Sequence, residues 1–444
     1  MSRTASAFGA AETGPSGSTR SGPLGPAQPA WHRLGLAHAW LPYTQMKVAS
    51  PPLPVVRTEG SRIVLADGRV LIDGIASWWT ACHGYNHPHI AAAVRRQLEV
   101  MPHVMFGGLV HEGALTLASR LAALLPGDLA HVFFSESGSV AVEVAMKMAL
   151  QYWINTGVST RRRLLAFARG YHGDTAGTMA ISDGMHGALR GLLPAQIAAP
   201  LPQDDASTTA FTTILERHAD EIAAIVVEPL VQGAGGMRFH APEVLRTIRA
   251  AADRHRILLI FDEIFTGLGR TGTLFAAEAA GIAPDIITLS KALTGGTLPL
   301  AATVATPKVF DAFWSDDPNH ALMHGPTYMA NALGCAAAHA SLDLFVQEPR
   351  LAQVQAISAA LARDLEPCRD LRGVVDVRVM GAIGVVELAR IADLDRLRRR
   401  FVEAGVFIRP FGNVVYLTPA FTIAEPDLAV LTRAVFEVLR EQVW

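Results

Sequence analysis

Reactive or ligand-grade side chains recur in this chain at the ends of apolar runs. Ser135-Glu136-Ser137-Gly138-Ser139 follows the run 131–134, and Gly170-Tyr171-His172-Gly173-Asp174 comes shortly after 164–167. Glu228 through Gly233 follows 223–227, Asp262-Glu263 follows 257–261, and Ser290-Lys291 follows 286–289. In open α/β sheets, ligands bind beyond the carboxyl ends of the strands. Strand ends of this kind on one sheet edge would converge on a single site.

Lys291 is the most telling of these residues. A free lysine is protonated at neutral pH, so a nucleophilic one needs burial or a neighbouring cation. An apolar strand before Lys291 and the Gly-rich Ala-Leu-Thr-Gly-Gly run after it can desolvate its amine; alone it would read as a solvated lysine at a strand end. Asp262, at its own strand end, can pair with a protonated ring nitrogen of a heteroaromatic cofactor; it or Glu263 can also cap the next helix. Ser137-Gly138-Ser139 opens a clear helix, where small residues and the helix dipole favour an anion by about 0.3–1 kcal/mol; plain capping by the serines explains the same letters. Tyr171 can stack on a flat ring or fill a loop core.

These residues need a scaffold. The apolar runs at 131–134, 164–167, 223–227, 257–261, 286–289 and 300–304 lack polar alternation, as strands buried on both faces of a parallel sheet do. Helical segments such as 140–150 lie between them, so the class is α/β: a large domain with a mostly parallel sheet flanked by helices. Residues 61–73 read as a hairpin around Asp67-Gly68. From about Phe345 a long helix precedes β runs at 374–379, 383–386 and 414–417, a smaller α+β unit with which the hairpin should pack. The expected division is a disordered Ser/Gly/Pro-rich tail at 1–30, an N-terminal part of the small domain at 31–75, the large domain at 76–344 and the C-terminal small domain at 345–444.

Composition excludes several classes. The 444 residues carry 38 Lys and Arg against 40 Asp and Glu, a net charge of -2; nucleic-acid binders usually show a basic surplus. No apolar run approaches the ~18 residues of a membrane span, and no signal-peptide core is present. Cys82, Cys335 and Cys368 are isolated, which speaks against a disulfide framework or zinc site and suits a reducing cytoplasm. The histidines at 83, 87 and 89 have no acidic or cysteine companions, and Pro88 reads as a helix start. The runs 161–163 and 398–400 read as solvated basic faces, with Asp395 and Arg399 at i,i+4 spacing.

Taken in order, Ser137-Gly138-Ser139, Gly170-Tyr171-His172-Gly173, Glu228-Pro229, Asp262-Glu263, Gly269-Arg270-Thr271-Gly272 and Ser290-Lys291 resemble the class III, fold-type I aminotransferases that use pyridoxal phosphate (PLP). The likeness runs from about Trp31 onward. It implies that Lys291 holds the cofactor covalently and then moves the substrate proton. It implies that Asp262 holds the pyridine nitrogen, that Gly138 and Ser139 bind the phosphate, and that Tyr171 stacks near ring and substrate. Pro326 and Thr327 would reach the phosphate across a homodimer interface, with Gly325 beside the substrate.

Ser77-Trp78-Trp79, residues 83–88, 103–108, 140–153 and 231–237, Met323-His324-Gly325-Pro326-Thr327 and Ile408-Arg409-Pro410-Phe411 narrow the resemblance. They are similar to family members that pass the amino group of S-adenosylmethionine to 8-amino-7-oxononanoate in biotin biosynthesis. By that likeness Trp78, Trp79 and Tyr43 wall the substrate site, Tyr43 joining Lys291 and Asp262 in the catalytic set, and Arg409 takes the keto acid's carboxylate with its fork of donors. Phe265, Leu268, Tyr328, Ala332 and Glu136 depart from the family pattern, the first two bearing on the apolar lining and so on the amino donor. Two other readings stand beside this one: a class III enzyme acting on an ω-amino acid or ornithine, and a PLP-binding regulator without turnover, against which the complete Lys291, Asp262 and Tyr171 set argues.

Overall fold

Seven apolar strands form the central sheet of the computed structural model, which describes residues 29–183, 187–442 and 444. Their order across the sheet is His131–Ser135, Ala301–Ala305, Ile286–Leu289, Leu258–Asp262, Ile222–Val227, Arg163–Phe167 and Ile197–Ala199. Successive side chains on a strand face opposite ways, and two separate apolar clusters result. Leu259, Phe261, Ile225, Val227, Leu165 and Phe167 join one, while Leu258, Ile260, Ala224, Val226, Leu164 and Ala166 join the other. Both faces are thus covered, which is why these runs show no polar alternation. Each fully buried Leu, Ile, Val or Phe contributes about 1.5–3 kcal/mol.

The helix Gly138–Asn155 covers one face with Ala141, Val142, Val144, Ala145 and Met148. The helix Pro242–His255 covers the other with Val244, Leu245, Ile248 and Ala252. Six strands run one way and only Ala301–Ala305 runs against its neighbours. The connection from Leu289 to Ala301 spans residues 290–300, too short for the helical crossover that parallel strands need, so the chain doubles back through the turn Lys291–Thr294 and Gly295. The edge strand Ile197–Ala199, only three residues long, has no counterpart among the apolar runs of the sequence.

The expected hairpin forms from Arg62–Leu65 and Val70–Asp73, with Val55–Glu59 outside it. Its inner strand pairs in parallel with Val406–Phe407, so the two ends of the chain share one sheet. A second antiparallel sheet joins Val374–Met380, Ile383–Leu388 and Val414–Leu417. Of the tail expected at 1–30, residues 1–28 lie outside the described residues, and its end is corrected: Ala30 already begins the helix Ala30–Leu36.

Two surface readings are corrected. Asp395 pairs with Arg398 at 3.2 Å, one residue earlier than the i,i+4 partner, while Arg399 reaches Ser50. Arg161 is not a solvated face either; it donates to the carbonyls of Ile222 and His255 and lies over Trp153. The histidines also part company: His87 caps the helix Pro88–Val100, His89 meets Asp343, and His83 meets Ser341 and Arg350. Among the described residues no helix is long and apolar enough to cross a membrane.

Candidate active site

The strand ends do converge. Lys291 begins the turn after Ile286–Leu289, with a left-handed backbone (φ 39°). The residue opens to a cavity while its amine is enclosed, with Nζ 4.7 Å from the Trp79 ring centre and 6.0 Å from that of Phe265. Burial pushes the amine pKa down, and the charges of Asp262 and Glu228 only partly offset this. Such an amine releases its proton more readily than a solvated one.

Asp262 ends its strand 4% exposed. Its Oδ1 accepts from Ile264 N, and its Oδ2 lies 2.8 Å from His172 Nδ1. Burial acts to lower the His172 pKa, but the hydrogen bond and charge of Asp262 outweigh it and leave it raised. Buried Glu228 accepts from Tyr171 N and Gly233 N, and burial pushes its pKa up to about 7 against the pull of His172. The adjacent acid, Glu263, faces the other side of the strand and accepts from Ala276 N and Ala277 N at 2.8 and 2.9 Å. It is the structural member of the pair, capping the helix Ala276–Ala280.

Lys291, Asp262, His172, Tyr171, Glu228, Gly138, Ser139 and Trp79 line one cavity of about 180 Å3. Its end suited to an anion is the start of Gly138–Asn155, where Ser137 Oγ accepts from Val140 N. The loop at Gly173 (φ 129°) closes on this helix start so tightly that a Cβ there would meet Ser139 Oγ at 2.2 Å. Only glycine fits, and the backbone is thereby brought within reach of an anion at the helix N-terminus.

A second cavity, about 300 Å3, opens from the first and shares Trp79, Tyr171, Ala234 and Lys291 with it. Its other walls are Tyr43, Trp78, Arg398, Arg409, Phe411 and Tyr416. The Tyr43 hydroxyl is 3.1 Å from that of Tyr171 and donates to Asp174. Arg409 lies with its guanidinium 5.0 Å from the Trp78 ring centre. Burial, and then the nearby Arg398, lower its pKa. Among the described residues no carboxylate lies within ion-pair distance of Arg409, so its fork of donors is available to a ligand acid.

The tryptophans stand on an uncommon backbone. Ala76, Ser77, Trp78 and Trp79 all have positive φ, from 45° to 71°, and Trp79 N donates to Ile75 O at 2.9 Å. This is a left-handed turn built without glycine, at a cost of about 1–2 kcal/mol per residue. Trp79 packs 4.4 Å from Phe265, one of the five departures from the expected pattern, and Leu268, a second, is buried.

Of the residues given a catalytic, cofactor or substrate role from sequence, Gly325, Pro326 and Thr327 line neither cavity of the single chain. Four contributors were not singled out there. His172 and Asp174 sat inside a quoted motif, and its polar letters were a usable signal. Tyr416 and Arg398 gave none: the first reads as core strand and the second as a surface charge.

Residues 43–439 match the family described as Aminotransferase class-III. An adenosylmethionine-8-amino-7-oxononanoate aminotransferase from Mycobacterium leprae is 47% identical over 417 residues, covering 91% of this chain and 95% of that one. The crystal structure of an enzyme of the same name from Methanocaldococcus jannaschii superposes with a TM-score of 0.89 at 31% identity, covering 92% of this chain and 98% of the other. An amine transaminase from an uncultivated Pseudomonas species, solved with PLP bound, gives a TM-score of 0.85 at 31% identity over 92% of this chain and 99% of its own.

Proposed function

This chain belongs to the class III aminotransferase family, and we propose that it transfers the amino group of S-adenosylmethionine to 8-amino-7-oxononanoate, giving 7,8-diaminononanoate in biotin biosynthesis. It is a PLP-dependent transaminase. The cofactor's needs are met by the first cavity: an enclosed lysine amine, a buried carboxylate for the ring nitrogen, and a glycine-closed helix start for the phosphate. The observation that carries the substrate reading is the second cavity. It runs from Lys291 to Arg409, which has no acid partner among the described residues, between Trp78, Tyr43 and Tyr416, which suits a keto acid whose carboxylate lies far from its reacting carbon.

Bound PLP supplies an electron sink for the electron pair left when the substrate Cα–H bond breaks. Lys291 would hold the cofactor, and its amine would move a proton at the substrate Cα. Asp262, steadied by His172, keeps a proton on the ring nitrogen. Gly138 and Ser139 hold the phosphate, and Tyr171 covers ring and substrate. Trp78, Trp79 and Tyr43 exclude water from the reacting end, with Tyr43 orienting the incoming amine, and Arg409 binds the far carboxylate by a bidentate contact.

The active form is a homodimer in this reading. Exposed Met105, Leu109, Val110, Met323 and Tyr328 give it apolar surface to bury, and Pro326 and Thr327 complete the partner's phosphate site, with Gly325 at its substrate. Division at residues 75/76 and 344/345, and a cytoplasmic setting suited to three buried free cysteines, belong to the same proposal. The test mixes the yellow holoenzyme with single amino donors and follows its visible absorption. S-adenosylmethionine should discharge the colour, and later addition of 8-amino-7-oxononanoate should restore it. Discharge by 4-aminobutyrate or ornithine and not by S-adenosylmethionine would overturn the assignment in favour of another amino donor.

A further inference from the structure

We propose that Asp73 is the positioning residue of the substrate mouth: its carboxylate holds Ala76–Trp79 in the left-handed turn that aims Trp78 at Arg409 and Trp79 at Lys291. Four consecutive non-glycine residues at positive φ persist only where surrounding contacts over-determine them. Here those contacts converge on one side chain. Asp73 is 1% exposed; its Oδ1 accepts from Ile75 N at 2.8 Å, and its Oδ2 accepts from Ser77 N at 3.0 Å and from the Tyr85 hydroxyl at 2.6 Å. The acceptor thus stands directly under the first residues of the turn, and Tyr85 braces it from outside. Thr80 Oγ1 donates to Ser77 O at 2.9 Å and closes the far end.

The turn is tied to both chemical ends of the site. Asp73 is the register partner of Phe407, and Gly74 N donates to Phe407 O, two residues before Arg409. At the other end, a Cβ on Gly296 would meet Ala81 N at 2.9 Å, so the loop that follows Lys291 seats on the end of the turn. Moving Asp73 therefore moves the tryptophans relative to both Arg409 and the lysine.

The inference rests on the proposed substrate for its kinetic readout, and on no substrate for its spectroscopic one. In Asp73→Asn holoenzyme, Ser77 N faces an amide in place of a charged acceptor. We expect KM for 8-amino-7-oxononanoate to rise about tenfold with kcat within about threefold, and the near-ultraviolet circular dichroism of the tryptophans to change. Adding Ala76→Gly and Ser77→Gly removes the steric cost of the left-handed backbone and should return both readouts most of the way to wild type. A folded Asp73→Asn enzyme with unchanged KM and dichroism, or glycine substitutions that leave them where Asp73→Asn put them, would overturn the proposal and leave Asp73 a general fold residue. If Asp73→Asn does not fold, Tyr85→Phe carries the test: about a threefold rise in KM with altered dichroism is expected, and no change in either overturns it. The dichroism comparison holds even if the keto acid proves to be a different one.

Discussion

The floor and the mouth of the active site are built on opposite plans. The floor, with Lys291, Asp262, His172 and Glu228, stands on consecutive strand ends of one sheet, its polar groups enclosed, with Asp262 bonded to His172 and Glu228 to the backbone of Tyr171 and Gly233. The mouth gathers Tyr43, Trp78 and Arg409 from the two ends of the chain, partly exposed and resting on loops and a strained turn, against the buried strand residue Tyr416. The floor's groups are enclosed, so their charges act strongly and any displacement is costly. The mouth can vary in shape without disturbing them. In the proposed function the floor sets the reaction type and the mouth the choice of substrate.

The comparison can be broken in order of expected effect. Lys291→Ala removes the amine that lines the floor's cavity: kcat should fall at least about 10³-fold, and borohydride treatment should no longer fix cofactor mass to the protein. Retained covalent cofactor would remove Lys291 from its role. At the mouth, Arg409→Ala should raise KM for the oxononanoate by about 10–100-fold, the worth of a bidentate charged contact, while the cofactor's absorption and half-reaction with S-adenosylmethionine stay near wild type. A comparable loss in both half-reactions would erase the division between floor and mouth.

The smallest effect tests burial itself. Glu263, beneath the floor, has its pKa raised to about 7 by burial, with the backbone donors of Ala276 and Ala277 pulling the other way. An acid with a raised folded pKa holds its proton more tightly when folded. Its contribution is therefore full below about pH 4.5 and is lost as the pH rises through about 7. Relative to wild type, apo Glu263→Gln should gain melting temperature as pH rises from 5 to 8, by something on the order of 1–3 °C. A difference that is flat with pH would show that Glu263 is not protonated in the native protein.

Legibility followed the same division. Lys291, Asp262, Tyr171 and Gly138-Ser139 were readable because an apolar strand followed by a polar residue is a local pattern, and the sheet brings every such end to one edge. The tryptophan pair and Arg409 were readable only through likeness to a family, since a tryptophan or arginine carries no local mark of facing a ligand. Tyr416 and Arg398 escaped altogether. The separation of Asp262 from Glu263 was likewise readable only through the likeness: adjacent acids look equivalent in a string, and the fold sends one to the cavity and the other, just past the strand end, to the start of a helix.

The sequence by itself determined six of the seven central strands, their double-sided burial and the polar group waiting at the ends of five of them, because these depend on residues a few positions apart. Only the tertiary structure decided that Phe407 runs beside Asp73, that Arg409 meets Trp78, and that a non-glycine turn bends left-handed to let them meet. Those pairings join residues more than 300 positions apart. No local preference encodes them; they follow from the packing of both chain ends against a sheet made by the middle.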